Sequence, residues 1–381
     1  GTLRYALNMS LPTQGEPLPD KHANTPYNAV PKGVVDPSKG VVNFGDAMGS
    51  DLSVAPWVGQ LYDDPVANYA GNEIGLMKFY PAAIWFHGAA PVEKPGTELR
   101  DVRFANDVVV SRTGWSKDDT VVALRSGGPA NHEHADRNSI LFAAHGERLF
   151  HDPFKASYTP ANPRWCLRLT ESHTAVLIDG QGHQYHDGSE GTNSSWAWAR
   201  VISYHADRRA MVVTSDATEA YQLVLPDVQR VWRTLVFVKP DVLLIFDQVK
   251  LTKDAPMQMR YQIYNDDEMG RGEVSTDGFT ITRPLAHMNA TVKASGPIAI
   301  MAGRIDLPPE EPEHPMIEVE SASATDHAVL TVCAAQKTGE EIDRLQAIRD
   351  GDTWRVTGEH NGIAIDVEIE ASGDAAPLVT V

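Results

Sequence analysis

The sequence predicts a mainly β protein: a large antiparallel β-sandwich behind a short helical and loop segment. Three observations carry that expectation. From about Lys94 onward the chain becomes a succession of short β-rich runs, at 102–111, 120–124, 140–142, 148–151, 173–178, 197–206, 210–214, 231–238, 242–249, 257–264, 298–301, 328–334, 346–350, 353–357 and 362–370. Asp-Gly turn signals at 179–180, 277–278 and 350–351 divide them. No long helical insertion separates these runs, so they are expected to pair antiparallel in two or more packed sheets. A chain of 381 residues exceeds the usual single core, and its 42% hydrophobic content is ordinary for a globular protein. We therefore expect a helical and loop segment over 1–93 and a β domain over 94–381.

In the first part, residues 2–10 read as the end of a helix halted near Pro12. A Pro- and Gly-rich passage over 11–42 reads as loop, with turns favoured at Thr25-Pro26 and Asp36-Pro37. Helical stretches follow at 54–62 and 66–69, the second behind Asp63-Asp64-Pro65, because proline suits the first helical position. A further short helix is expected at 82–86. In the second part, the Pro/Glu-rich residues 308–315 read as a loop, and no repeat of fixed period is present.

No apolar run is long enough to span a bilayer, and the first residues do not read as a signal peptide. Cys166 and Cys333 are too few for a disulfide framework, although one bridge between them stays open. The formal charge of −18 argues against a nucleic-acid partner. It also fits poorly with an acidic polymer unless a cleft is locally basic, which Arg137, Arg148, Lys155, Arg164 and Arg168 could supply.

The chemistry concentrates in residues 127–139, Gly-Gly-Pro-Ala-Asn-His-Glu-His-Ala-Asp-Arg-Asn-Ser. If this stretch is extended, His132, His134 and Asp136 share one face, with neighbours roughly 6.6 Å apart. Two adjacent members on one ion would be strained, so one histidine is expected at a metal and the other at a cleft. The runs 140–144 and 148–153, joined by His145-Gly146-Glu147, read as a β-hairpin that ends on Asp152. His173 stands at the start of an apolar strand. One histidine of the first motif, Asp152 and His173 would make an N/O site suited to zinc.

These segments resemble the heparinase II/III-like polysaccharide lyases. The resemblance rests on Asn131-His132-x-His134-x-Asp136-x-Asn138-Ser139, then Gly146-Glu147, Asp152, Ser172-His173-Thr174, Val176 and Asp179-Gly180. It extends through 228–241 and Leu244-Ile245-Phe246-Asp247, which look like that family's paired long strands. It implies that the helical segment is the tail of an (α/α) toroid, with Phe44-Gly45-Asp46 near the toroid's end, and that the chain is a fragment or processed piece of a longer lyase, the rival being a shortened natural relative. The implied activity is β-elimination on a uronic-acid polysaccharide: a proton leaves carbon 5 and the bond to the oxygen at carbon 4 breaks. The implied metal ligands are His134, Asp152 and His173, holding zinc or, failing that, calcium or manganese. Asn131 and His132 match positions that face substrate, an amide donor and an imidazole suited to carboxylate stabilisation and proton traffic. The family's main catalytic tyrosine lies in the toroid and has no assigned counterpart here. Tyr158 is a further candidate acid or base, and Arg137 and Arg164 are candidate substrate-binding residues. The expected partner is an acidic polysaccharide or oligosaccharide, with no nucleic acid and no membrane, a homo-oligomer left open, and a periplasmic or secreted location.

Two competing classes are weighed. His-x-His-x-Asp also begins a metallo-β-lactamase-like hydrolase motif, but Arg137 stands where that motif needs a further histidine. A non-catalytic carbohydrate-binding sandwich is the other. His183, His186 and Asp187 are expected in a surface loop rather than at a metal, and Trp196 and Trp198 are expected to bury one sheet face rather than stack on sugar.

Overall fold

The computed structural model describes residues 2–11, 42, 44, 55–71, 91–128, 134–153, 156–183, 196–340 and 343–381. The expected helix at 82–86 lies outside them. Three short helices come first: α1 (Thr2–Asn8), α2 (Ala55–Tyr62) and α3 (Pro65–Tyr69). Pro65 opens α3 as its sequence implies, and Asp64 caps it, accepting from the amides of Val66 and Ala67 at 3.0 and 3.2 Å.

The first sheet runs in chain order: β1 (Asp101–Arg103), β2 (Val108–Arg112), β3 (Val121–Arg125), β4 (Ile140–Ala144) and β5 (Glu147–Phe150). The run at 102–111, expected as one strand, is a hairpin, because the chain reverses at Asp107 with φ +57°. The hairpin of β4 and β5 forms as expected. His145 and Gly146 both take positive φ, +54° and +84°, which matches the twist of the flanking strands.

The second sheet is larger, built from β6 (Val176–Ile178), β7 (Arg200–Ala206), β8 (Ala210–Asp216), β9 (Val228–Val238), β10 (Val242–Gln262), β11 (Arg271–Ser275), β12 (Gly278–Thr282), β13 (Ala286–Ala294), β14 (Ile298–Arg304) and β15 (Pro315–Lys337). Its main order is β11-β12-β13-β15-β10-β9-β8-β7, with β14 on β15 and β6 on β10. A short helix, α4 (Thr218–Gln222), joins β8 to β9. β10 fuses the expected runs 242–249 and 257–264 through a bulge near Lys250–Ala255. β15 begins at Pro315 and so takes in residues that sequence alone assigns to no strand. The third sheet is β16 (Gln346–Asp350), β17 (Thr353–His360), β18 (Ile363–Glu370) and β19 (Leu378–Thr380). All strand pairs are antiparallel, as the absence of crossover helices implies.

The layers follow from alternation along β9 and β10. Leu235, Phe237, Leu243 and Ile245 face the first sheet and pack with Val122, Leu124, Ile140, Phe142 and Phe150. Their neighbours Val236, Val238, Leu244 and Phe246 face the third sheet and pack with Trp354, Val356, Val367 and Ile369. A strand buried on both faces reads as one continuous apolar run, which is how 235–238 and 242–246 read. The outer face of the first sheet is covered by Met9, Leu11, Val42 and Phe44. Buried Arg112 donates from Nη2 to the carbonyls of Asn8 and Ser10, at 2.5 and 3.1 Å, and so ties the end of α1 to β2.

Candidate metal centre and active site

Three segments converge where the first and second sheets meet. His134 lies between β3 and β4, Asp152 follows β5, and His173 closes a 3₁₀ turn over Thr170–Ser172 just before β6. All three are fully buried, and one donor atom from each lies within 4.8 Å of the others. Asp152 Oδ2 sits 3.0 Å from His173 Nδ1 and accepts from Ser139 Oγ at 2.6 Å. The His134 and His173 rings are 5.3 Å apart, tilted by 49°. Burial works against a charged His173 ring, but the Asp152 carboxylate beside it more than offsets that, so its pKa is raised.

Backbone bonds hold this geometry. Ala135 donates its amide to the Arg168 carbonyl at 2.7 Å, which ties the His134 loop to the 3₁₀ turn. Arg233 of β9 goes further. It is fully buried, grips Asp247 of β10 through two bonds of 2.7 and 2.9 Å, and donates Nη1 to the carbonyls of Asn138 and Thr174. One guanidinium therefore pins both histidine-bearing loops to the centre of the sandwich. Sequence reading placed these residues only in a pair of long strands. The available signal was a charge on each of two otherwise apolar strands, at Arg233 and Asp247, which are direct cross-strand partners.

The donor set fits a divalent ion of the zinc class. Two imidazoles and a carboxylate are a borderline N/O set. In addition, His173 Nε2 is buried with no hydrogen-bond partner among the described residues.

The motif is not a strand on its described side. Residues 134–139 form an irregular turn, with Ser139 donating to the Asp136 carbonyl and Asn138 at φ +64°, so the shared-face argument does not apply there. Asp136 turns inward to an ion pair with Arg137 at 2.9 Å and lies 3.8 Å from Arg125. Burial alone would raise its pKa, but these two arginines hold it below the usual carboxylate range.

Asn131, His132, Lys155, His186 and Asp187 lie outside the described residues. The expected basic cleft is not formed by the arginines that are described. Arg137, Arg148, Arg164 and Arg168 are all buried, and Arg164 pairs with Glu311. They are long enough to reach inward to carboxylates and carbonyls, a choice that sequence spacing does not reveal. Arg137 donates to the Ala197 carbonyl as well as to Asp136, and in this arrangement it braces the motif from behind. Tyr158 is 37% exposed and stacks over the Arg168 guanidinium at 4.1 Å.

Two further expectations are corrected. His183 is buried rather than on the surface, and its Nε2 accepts the Arg137 amide at 2.9 Å. Trp196 and Trp198 are 71% and 41% exposed, not buried under a sheet. They lie in a segment paired to the start of the motif, where Gly127 and Ala199 exchange two backbone bonds of 3.0 Å. A Cβ at Gly128 would fall 2.4 Å from the Trp198 ring, so glycine is what lets that ring lie against the backbone.

The family model for the heparinase II/III-like C-terminal domain matches residues 109–370, which takes in His134, Asp152, His173, Arg233 and Asp247. The chain belongs to the heparinase II/III-like family. Among solved structures, a heparinase III is similar over 96% of this chain and 53% of its own, at 13% identity and TM-score 0.69. A mutant heparan sulfate lyase HepC from Pedobacter heparinus is similar over 97% and 52%, at 14% identity and TM-score 0.66. A further heparinase III gene product is similar over 96% and 51%, at 15% identity and TM-score 0.64. At these identities the likeness is one of fold. The chain spans about half the length of these structures. The heparinase II/III-like fold thus accounts for the stacked sheets, and the buried cluster sits within the matched region. Cys166 and Cys333 are free thiols, so no bridge joins them.

Proposed function

We propose that this chain is the β-rich part of a polysaccharide lyase that cleaves a uronic-acid-containing polysaccharide by β-elimination. The observation that carries the reading is the buried His134, Asp152, His173 cluster, whose first member follows Asn131-His132 closely in the sequence, in a chain of the heparinase II/III-like family. The similar structures are named for heparan sulfate and heparin, which are acidic polymers, and we extend that substrate class to this protein.

The reaction demands three things. The carboxylate next to carbon 5 must be neutralised or hydrogen-bonded so that the proton becomes acidic, a base must take that proton, and the oxygen at carbon 4 must receive one. We assign the amide of Asn131 to the carboxylate and the imidazole of His132 to proton traffic, with Tyr158 as a second acid or base. His134, Asp152 and His173 would hold a divalent ion, most simply zinc. Bound there, it supplies a fixed positive charge that ties three segments together behind the motif. The arginine pairs Arg137–Asp136 and Arg233–Asp247 then position the loop rather than touch substrate. The exposed pair Trp196 and Trp198, beside Gly127 and Gly128, offers apolar faces on which a sugar ring can stack. That pair also favours the second reading, a carbohydrate-binding sandwich without turnover. The metal-dependent hydrolase has no such support.

The test is incubation of the intact enzyme, of which this chain is the β-rich part, with heparan sulfate, alginate and other uronans, following the ultraviolet absorbance of the unsaturated product. A rise with at least one polymer is expected. Binding of a polymer with no absorbance change would favour the binding module, and release of saturated ends would favour a hydrolase.

A further inference from the structure

A second buried cluster of metal-ligand types lies beside the first. His151, Asp266 and His314 each place one donor atom within 4.8 Å of the other two, and all three are buried. His151 and Asp152 are consecutive, and they serve two different clusters as the chain leaves β5.

The three donors come from three segments that the backbone clamps together. The His151 amide donates to the Gln262 carbonyl at 3.0 Å, and the Ile263 amide donates to the Pro315 carbonyl at 2.9 Å. His314, immediately before β15, accepts at its own carbonyl from Ile305, also at 2.9 Å. Asn265, next to Asp266, reaches across to this same turn: its Nδ2 donates to the Glu313 carbonyl and its Oδ1 accepts from Gly270, both at 2.8 Å. The ring of Tyr264 supports that of His151 at 5.1 Å, nearly perpendicular. Donor positions are thus set by sheet ends rather than by free loops, which is what a preorganised site requires.

The charge around the cluster is compatible with a cation. Arg148 and Arg283 both lie over the Tyr264 ring. Arg283, however, is gripped by Asp267 and Glu147, so its charge is met by two carboxylates next to the cluster. An ion bound by bonds of about 2.1 Å in tetrahedral geometry holds its donors about 3.4 Å apart. The present donors all lie within 4.8 Å of one another.

We propose that His151, Asp266 and His314 form a second metal site, independent of the first. Two imidazoles and one carboxylate suit a borderline divalent ion of the zinc class. Its effect is to fasten the end of β5, the turn after β10 and the start of β15 at one point, which would make it a structural site.

The experiment strips the whole chain with a chelator, restores zinc alone, and measures bound metal together with the melting temperature. The parent should bind about two ions per chain, as two three-ligand sites imply. His314→Ala and Asp266→Asn should each bind about one fewer, while His173→Ala loses the other ion. Asp266→Asn preserves shape, so it reports on the ligand even if His314→Ala fails to fold. If Asp266→Asn keeps the parent's full metal content, the proposal is overturned. If His173→Ala changes nothing while Asp266→Asn loses an ion, the second site stands and the reading of the first is the one that fails.

Discussion

At the scale of single residues, His132 and His134 stand two apart in the sequence, and the proposed function gives them different work. His134 is buried with Asp152 and His173, whereas His132 is assigned to substrate beside Asn131. His134→Ala should lower both zinc content and melting temperature, because a lost ligand removes binding energy that supports the folded state. His132→Ala should leave both nearly unchanged and cut the elimination rate by roughly 10²-fold or more. Zinc stoichiometry, melting temperature and rate on the two variants check the assignment, and the opposite pattern would reverse it. Asp152, His173 and one histidine of the motif were legible from residue type and the intervening hairpin, and the choice of His134 came from the family resemblance. The inward turn of Arg137 and Arg164 was not legible, because a flexible guanidinium finds its carboxylate in three dimensions and leaves no periodic trace.

At the scale of elements, β9 and β10 carry more than apolar surface. Arg233 and Asp247 are cross-strand partners, and the same guanidinium holds the carbonyls of Asn138 and Thr174. Removing one member of a buried ion pair leaves the other charge uncompensated and costs about 3–5 kcal/mol. Arg233→Met should therefore lower the urea midpoint strongly and weaken zinc binding by about 10–100-fold, the usual scale for residues that orient ligands. The double variant Arg233→Met/Asp247→Leu should recover much of the stability, since no charge remains buried, yet leave zinc binding weak. Recovery of both together would mean that the pair does not position the loops.

At the scale of the whole molecule, the third sheet docks on the second through an apolar layer, and a titratable pin at His360 adds to it. His360, at the end of β17, places Nε2 at 2.9 Å from the Ala335 carbonyl of β15 and 3.1 Å from Asp241. Its Nδ1 is 3.1 Å from Asp343. Burial disfavours the charged ring, but Asp241 more than offsets this and raises its pKa. Burial likewise works against the Asp241 carboxylate, which His145 and His360 nonetheless hold below the ordinary range. The raised histidine contributes stability that is complete below its unfolded value of about 6.5 and fades as pH climbs through the folded value. The depressed aspartate contributes stability above its unfolded value of about 3.9, lost as pH falls through the folded one. His360→Gln should therefore cost most in melting temperature near pH 5 and progressively less toward pH 8. A loss that is flat with pH would show that the pin is steric rather than charged.

The sequence by itself determined the fold class, the hairpin ending on Asp152, the helix start at Pro65 and a first cluster of Asp152, His173 and one histidine of the motif, which the family resemblance narrowed to His134. These depend on local rules: alternation along a strand, turn chemistry, and the limited set of side chains that bind metal. It left unseen β11, β12 and β13, whose sequences mix polar with apolar residues, and it split β10, whose bulge interrupts the alternation. Only the tertiary structure decided that the sandwich has a third layer, that Arg233 braces two loops at once, and that His151 meets Asp266 and His314. Each of these joins residues far apart in the chain, where burial and charge pairing depend on which faces the sheets present to one another.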